Sequence, residues 1–178
     1  VSDEQILILD WKKKKVISKI ERQGEETLAV TFYYAISGMK LAVTNGKILW
    51  IYDLEQKACI HQIEYESDRW CVISSMAFNE DGSEIAISAG SPVVEDAERG
   101  VICVSLADES ITRLSDAYSD VMTYVGEHRV AVVQCERVGE VEEYAFKPLC
   151  RYYVTMYDTE SGECIWTSED YDVQAISR

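Results

Sequence analysis

Six cysteines, two histidines and a surplus of acids are the residues of this 178-residue sequence that could do chemistry. A nucleophilic site needs a Ser, Cys or Thr held beside an oriented base. The two possible bases are His61, within an apolar run, and His128, within the tight turn Gly126-Glu127-His128. Neither neighbourhood suggests a triad, and both read as edge or surface histidines. Glu142-Glu143 and the pair Asp170 and Asp172 have the residue types of a glycosidase, but a chain with 32 acidic residues brings carboxyl groups together for no catalytic reason. Cys59, Cys71, Cys103, Cys135, Cys150 and Cys164 stand singly, without the Cys-x-x-Cys spacing of a zinc site. The nucleotide cradles Gly-x-Gly-x-x-Gly and Gly-x-x-x-x-Gly-Lys-Ser/Thr are absent, as is an Asp-x-Asp-x-Asp-Gly calcium loop. The expectation is therefore no catalytic residue, no metal and no cofactor, and hence no enzyme; what remains is binding.

Binding residues need a frame, and the frame is written as a repeat. The run Leu49-Trp50-Ile51-Tyr52-Asp53 has strand propensity and ends on an aspartate; Glu55 to Ala58 then precede the apolar pair Cys59-Ile60. An aspartate there can accept from the backbone two residues on and fix the turn. The unit recurs at Ile6-Leu7-Ile8-Leu9-Asp10, a shift of 43, and at Tyr153-Val154-Thr155-Met156-Tyr157-Asp158, a shift of 105. A weaker copy lies at Val101 to Leu106, with Ser110 to Leu114 as its second strand. Between copies, Leu28 to Tyr34, Ile36-Ser37-Gly38-Met39 and Lys40 to Gly46 overlay at a shift of 44 on Val72 to Phe78, Asn79 to Ser83 and Glu84 to Gly90. Ser-Gly and Asp-Gly between apolar runs are hairpin signals. The period is thus four strands in 43 to 53 residues.

Phe78-Asn79-Glu80-Asp81-Gly82-Ser83-Glu84-Ile85-Ala86-Ile87-Ser88 is similar to the "FSPDG…LASGS" stretch of WD40 repeats, and Trp50-Ile51-Tyr52-Asp53 and Met156-Tyr157-Asp158 stand where that family has "IWD". The chain resembles a divergent WD40-like β-propeller: no Gly-His pair precedes the innermost strand, and Tyr replaces Trp in the dipeptide. The resemblance implies an all-β fold of four-stranded antiparallel blades, complete at about 28–64, 71–114 and 121–168. Residues 1–20 and 170–178 would be parts of neighbouring blades, with Asp172 to Ser177 as an inner strand. Rings of this kind close with 4–8 blades. An incomplete ring would expose strand edges, so the expectation is a piece of a longer chain, to which the missing initiator Met is suited, or closure by a second copy. Trp11, Trp50, Trp70 and Trp166 recur once per unit, as core or inter-blade packing would require.

Two insertions stretch the period to about 52: residues 91–100 and 135–148. Lettering the four strands of a blade a to d from the innermost outward, both fall between strands b and c of successive blades, and insertions of a repeat protein collect on one face, often the binding face. Their acids and aromatics give the candidate partner-binding residues Glu95, Asp96, Glu98, Arg99, Glu142, Glu143, Tyr144 and Phe146. Exposed aromatics make good anchors; the bland alternative is a pair of solvated loops.

A net charge of −15 argues against nucleic acid or an anionic membrane as partner, although acidity also serves solubility alone. Lys12-Lys13-Lys14-Lys15 is the one basic island; a solvated turn explains it more simply than a docking patch. Cys59, Cys103 and Cys164 lie within apolar strands, as small hydrophobes. No stretch reaches the roughly 18 apolar residues of a spanning helix, and scattered thiols suit the cytoplasm; a secreted disulfide framework is the alternative. The expected function is a non-enzymatic, protein-binding scaffold or sensor, by analogy part of a larger signalling or defence protein. The alternatives are a hydrolase or lyase with a site in the central channel, and a homo-oligomerisation module. The innermost runs carry no acid, His or Lys, which speaks against the channel site.

Overall fold

The computed structural model describes residues 5–10, 12–21, 33–44, 48–64, 72–90, 100–117, 119, 121–140 and 148–168. These form fourteen strands and no helix. The first sheet is the hairpin β1 (Gln5–Asp10) and β2 (Lys15–Glu21). The second holds β3 (Tyr33–Ser37), β4 (Lys40–Thr44), β5 (Ile48–Asp53) and β6 (Ala58–Glu64); the third, β7 (Val72–Phe78), β8 (Glu84–Gly90), β9 (Gly100–Ser105) and β10 (Ile111–Ser115). The fourth holds β11 (Met122–Tyr124), β12 (Arg129–Glu140), β13 (Pro148–Asp158) and β14 (Cys164–Thr167). In each, strands pair antiparallel in chain order. The expected all-β fold of four-stranded antiparallel sheets is what the chain adopts; the sheets do not close into a ring.

Period-2 alternation lets each sheet serve two cores. Leu49 and Ile51 of β5 pack with Ile73, Ile85, Ile87, Ile102 and Val104 of the third sheet. Their neighbours Trp50 and Tyr52 point the other way and pack with Ile6 and Ile20 of the first. The third sheet repeats this, sending Ala86, Val101 and Cys103 against Met122, Val130, Val132 and Tyr157 of the fourth. The sheets therefore stack face to face in chain order, and β7 lies beside both β3 and β11, so the innermost strands run along a common axis.

The aspartates do what their spacing suggests. Asp53 Oδ1 accepts from Glu55 N and Gln56 N, each at 2.8 Å, and Asp10 Oδ1 from Lys12 N and Lys13 N, each at 3.1 Å. Asp158 Oδ1 accepts from Ser161 N at 2.8 Å and Ser161 Oγ at 2.9 Å. The turn between the two outer strands of every sheet then passes through one left-handed residue: Lys14, Lys57, Glu109 and Gly162. Three of these are not glycine, so no sequence signal marks them.

Three details differ from the sequence reading. Ile36 and Ser37, expected in a turn, end β3, and the hairpin closes over Gly38 and Met39 alone. Trp166, expected in a core, is 51% exposed, because it pairs with Met156 on the face of the fourth sheet turned away from the third. Cys164 is likewise exposed, whereas Cys103 is buried and Cys59 half-buried; all three are free thiols. Trp11 and Trp70 lie outside the described residues. No helix among the described residues is long and apolar enough to cross a membrane.

Candidate functional site

Strand order a-b-c-d places the a–b and c–d turns at one end of each sheet and the b–c connection at the other. Glu95, Asp96, Glu98 and Arg99, and likewise Glu142, Glu143, Tyr144 and Phe146, lie outside the described residues. Their bases do not. The 91–99 segment leaves β8 at Gly90 and returns at Gly100, where the register is Ala89↔Gly100. A Cβ on Gly100 would stand 2.6 Å from Ser115 O, so the returning strand passes against β10 closer than any side chain permits.

The base of the second connection is more telling. β12 and β13 pair from Arg129↔Asp158 out to Glu140↔Pro148, twelve and eleven residues. Their flanking strands are far shorter: β11 pairs only with Val130 to Val132, and β14 only with Thr155 to Tyr157. Beyond those, the two central strands continue as a two-stranded ribbon. Half of the expected 135–148 loop is thus strand, and residues 141–147 alone join the ribbon's ends. The sequence concealed this because Arg137-Val138-Gly139-Glu140 alternates poorly, with a register irregularity between Arg137 and Gly139.

At the opposite end, chemistry collects at the joint between the third and fourth sheets. Thr159 Oγ1 donates to Glu84 Oε2 at 2.9 Å and Tyr124 OH to the same oxygen at 3.5 Å. His128 Nδ1 lies 3.4 Å from Glu84 Oε1, and Cys103 Sγ lies 3.1 Å from the Tyr124 hydroxyl. This is the one place where the described residues bring a His, an acid, a hydroxyl and a thiol together. It is not a nucleophilic site, since the acid takes both the hydroxyl and the imidazole and leaves no base on Thr159, which is buried. Burial, with the neighbouring Glu84 charge, pushes the Cys103 thiol up to about 12, although the Tyr124 hydrogen bond pulls the other way. Burial likewise raises the Tyr124 hydroxyl. A thiol so placed is no nucleophile. Sequence reasoning missed the cluster because its members come from five separate strands and turns.

A second polar knot joins the same sheets: Gln134 Nε2 donates to Ser115 Oγ (2.7 Å) and Tyr157 OH (3.2 Å), while Thr155 Oγ1 donates to Gln134 Oε1 (2.9 Å). With its polar atoms paired, buried Gln134 joins the two sheets and its desolvation is offset. Among the described residues no three His, Cys, Asp or Glu side chains gather to hold a metal ion. Hollows open among the described residues. One, of about 420 Å³, lies between the second and third sheets with Leu49, Ile73, Ile87, Ile102, Glu64 and Arg113 among its walls. Another, of about 430 Å³, lies over the fourth sheet's turns, with Gly126, Glu127, His128, Arg129, Asp158 and Glu160.

Stacked four-stranded antiparallel sheets whose first strands share an axis define a β-propeller. No protein-family model and no curated protein sequence matches the chain. Solved structures do. An acylaminoacyl peptidase in complex with Z-Gly-Gly-Phe-chloromethyl ketone matches over 79% of this chain and 25% of its own, with a TM-score of 0.56 at 16% identity. The β-propeller domain of the Trilobed protease from Pyrococcus furiosus, described as having an open velcro topology, matches over 82% and 45%, with a TM-score of 0.53 at 16% identity. The tricorn protease matches over 82% and 15%, with a TM-score of 0.52 at 13% identity. The chain spans less than half the length of each, and the likeness is one of fold. It corrects one expectation: the absence of a catalytic motif was read as "no enzyme", yet the proteins that carry these sheets are peptidases. A propeller with no motif of its own can belong to a chain that has one elsewhere.

Proposed function

We propose that this chain is the propeller part of a larger protein and binds a polypeptide partner on the rim from which the third and fourth sheets send out their b–c connections. The observation that carries the reading is the β12–β13 ribbon, which extends past the strands that flank it and ends at the connection holding Glu142, Glu143, Tyr144 and Phe146. A backbone-paired stem reduces the ordering entropy lost on binding. Glu95, Asp96, Glu98 and Arg99, on the neighbouring connection, would complete the surface, and a net charge of −15 favours a polypeptide with basic character over a polyanion. The likeness to propellers of peptidases supports a version in which the larger protein is a hydrolase and the rim meets its polypeptide substrate; a divergent WD-repeat scaffold is the other version. The test is Tyr144→Ser with Phe146→Ser in the full-length host protein. Loss of one identified partner or substrate, with an unchanged urea midpoint, is expected; full retention of binding refutes the reading.

A further inference from the structure

We propose that the hollow between the second and third sheets receives one large apolar side chain of the polypeptide partner, with Glu64 at its lip taking a basic residue beside it. It rests on the reading above for the partner's being a polypeptide met at that rim. Leu49, Ile63, Glu64 and Ile73 stand within two residues of strand ends on the side from which the b–c connections leave, so the hollow lies toward that rim. Its wall also reaches the base of the 91–99 connection: the Cβ that Gly100 lacks would stand 3.1 Å from Arg113 Nη2. At about 420 Å³ the hollow falls in the size range of ligand sites, about 300–1,000 Å³.

At the next joint the same place is filled. Ile87 pairs with Met76 and Ile102 in the third sheet as Val132 pairs with Met122 and Thr155 in the fourth, so Ala89 corresponds to Gln134 and Ile102 to Thr155. Ile63 lies opposite Leu49 as Ser115 lies opposite Val101. Between the third and fourth sheets Gln134 donates to Ser115 and accepts from Thr155, so that one amide spans the gap. Between the second and third the three positions hold Ala89, Ile63 and Ile102, a methyl and two aliphatic chains that cannot bridge it. An apolar hollow offers water too few hydrogen-bond partners, so its complement is an apolar group. Among the described residues its charged walls are Glu64 and Arg113. Arg113 Nε donates to Asp116 Oδ1 at 2.6 Å, so that cation is met close by. Glu64 is exposed and forms no ion pair among the described residues. The charge left at the lip is negative, the sign of the whole chain, and it selects a cationic neighbour for the apolar side chain.

Fluorescence anisotropy of labelled heptapeptides on the full-length host protein reads this. Three probes place Leu-Arg, Ser-Arg or Leu-Glu at the centre of a Gly-Ser background. The Leu-Arg peptide is expected to bind saturably, and the other two about tenfold more weakly or worse. Ile111→Asp, at a wall residue 59% exposed, should weaken the Leu-Arg peptide about tenfold with the urea midpoint unchanged. Glu64→Lys should turn the preference from Leu-Arg to Leu-Glu, which a merely structural role for Glu64 would not do. The proposal is overturned by any of four results: no saturable binding of the Leu-Arg peptide, as when another part of the same protein fills the hollow; equal affinity for the three probes; unchanged affinity in Ile111→Asp; or unchanged preference in Glu64→Lys. The two readings fail separately. If Tyr144→Ser with Phe146→Ser leaves the host's own partner bound while Ile111→Asp releases it, the hollow is the site and the 141–147 connection is not; the reverse result keeps the connection and discards the hollow.

Discussion

Replacing Glu84 by Ala removes an acceptor through which the third sheet holds the fourth. Thr159, only 3% exposed, loses the partner at 2.9 Å from its hydroxyl, and half-buried Tyr124 loses its longer bond at 3.5 Å. Leaving a buried donor unsatisfied costs about 1–3 kcal/mol; the Tyr124 bond, long and shared with Cys103, sits at the low end. Against this, taking one acid from a chain of net charge −15 relieves self-repulsion, an effect of opposite sign that exposed positions also show. The net expectation is a loss of roughly 3 kcal/mol, which at about 2–4 °C per kcal/mol for a chain of this size lowers Tm by roughly 6–12 °C. Glu84→Gln keeps one acceptor oxygen and should lose about 1 kcal/mol. Glu80→Ala, exposed in the neighbouring turn, isolates the charge effect and should stay within about 0.5 kcal/mol. Urea unfolding followed by far-ultraviolet circular dichroism, with calorimetry for Tm, reads all three. If Glu84→Ala unfolds at the same urea concentration as Glu80→Ala, the joint contributes nothing and the reasoning about the third and fourth sheets fails.

Gly162→Ala should cost about 2 kcal/mol in urea unfolding, because the residue is left-handed and its new methyl would press on Arg113 O, a backbone atom that cannot swing aside. Cys103 should resist iodoacetamide in the folded chain and react only on unfolding, whereas exposed Cys164 should be modified at once; peptide mapping distinguishes them. Asp158, held below its usual range chiefly by the Ser161 N–H, and Asp81 and Asp108, held there chiefly by the Ser83 and Ser105 hydroxyls, favour the folded state when ionised. A carboxyl lowered on folding contributes fully above its unfolded value of about 4 and loses that contribution as the pH falls through the folded value. The urea midpoint should therefore drop below pH 4, and drop less in Asp158→Asn.

How much of this was legible in the sequence follows from where the causes lie. The strand–Asp–turn unit is local: Asp53 bonds Glu55 and Gln56, within three residues, so residue type and spacing suffice to find it. Alternation within β5 likewise decides that Leu49 and Trp50 face different sheets, whatever those sheets contain. The junction chemistry is not local. Thr159 meets Glu84 across 75 positions of sequence, and nothing in Tyr-Asp-Thr-Glu announces a partner in a different sheet. The ribbon was misread for a related reason: strands b and c support each other by backbone pairing without a hydrophobic face to signal it.

The joints also explain how a regular repeat can stay specific. The apolar cores of successive sheets share a plan, with Ile, Val and Ala on alternating positions of each, although Trp50 and Tyr52 enlarge the first and Met122 and Tyr157 the last. What differs from joint to joint is the polar contact. Lys40 Nζ donates to Gly82 O at 2.7 Å between the second and third sheets, while the corresponding Glu84 takes Thr159 between the third and fourth. Exchanging those two residues would set a carboxyl against the Gly82 carbonyl and an ammonium beside the Thr159 hydroxyl and His128. The first joint would then set acceptor against acceptor, and the second would lose the carboxylate that accepts from the Thr159 and Tyr124 hydroxyls. Apolar faces thus supply the adhesion of the stack, and at the two joints of the third sheet a charged residue at the start of the second strand adds a contact that the other joint does not share.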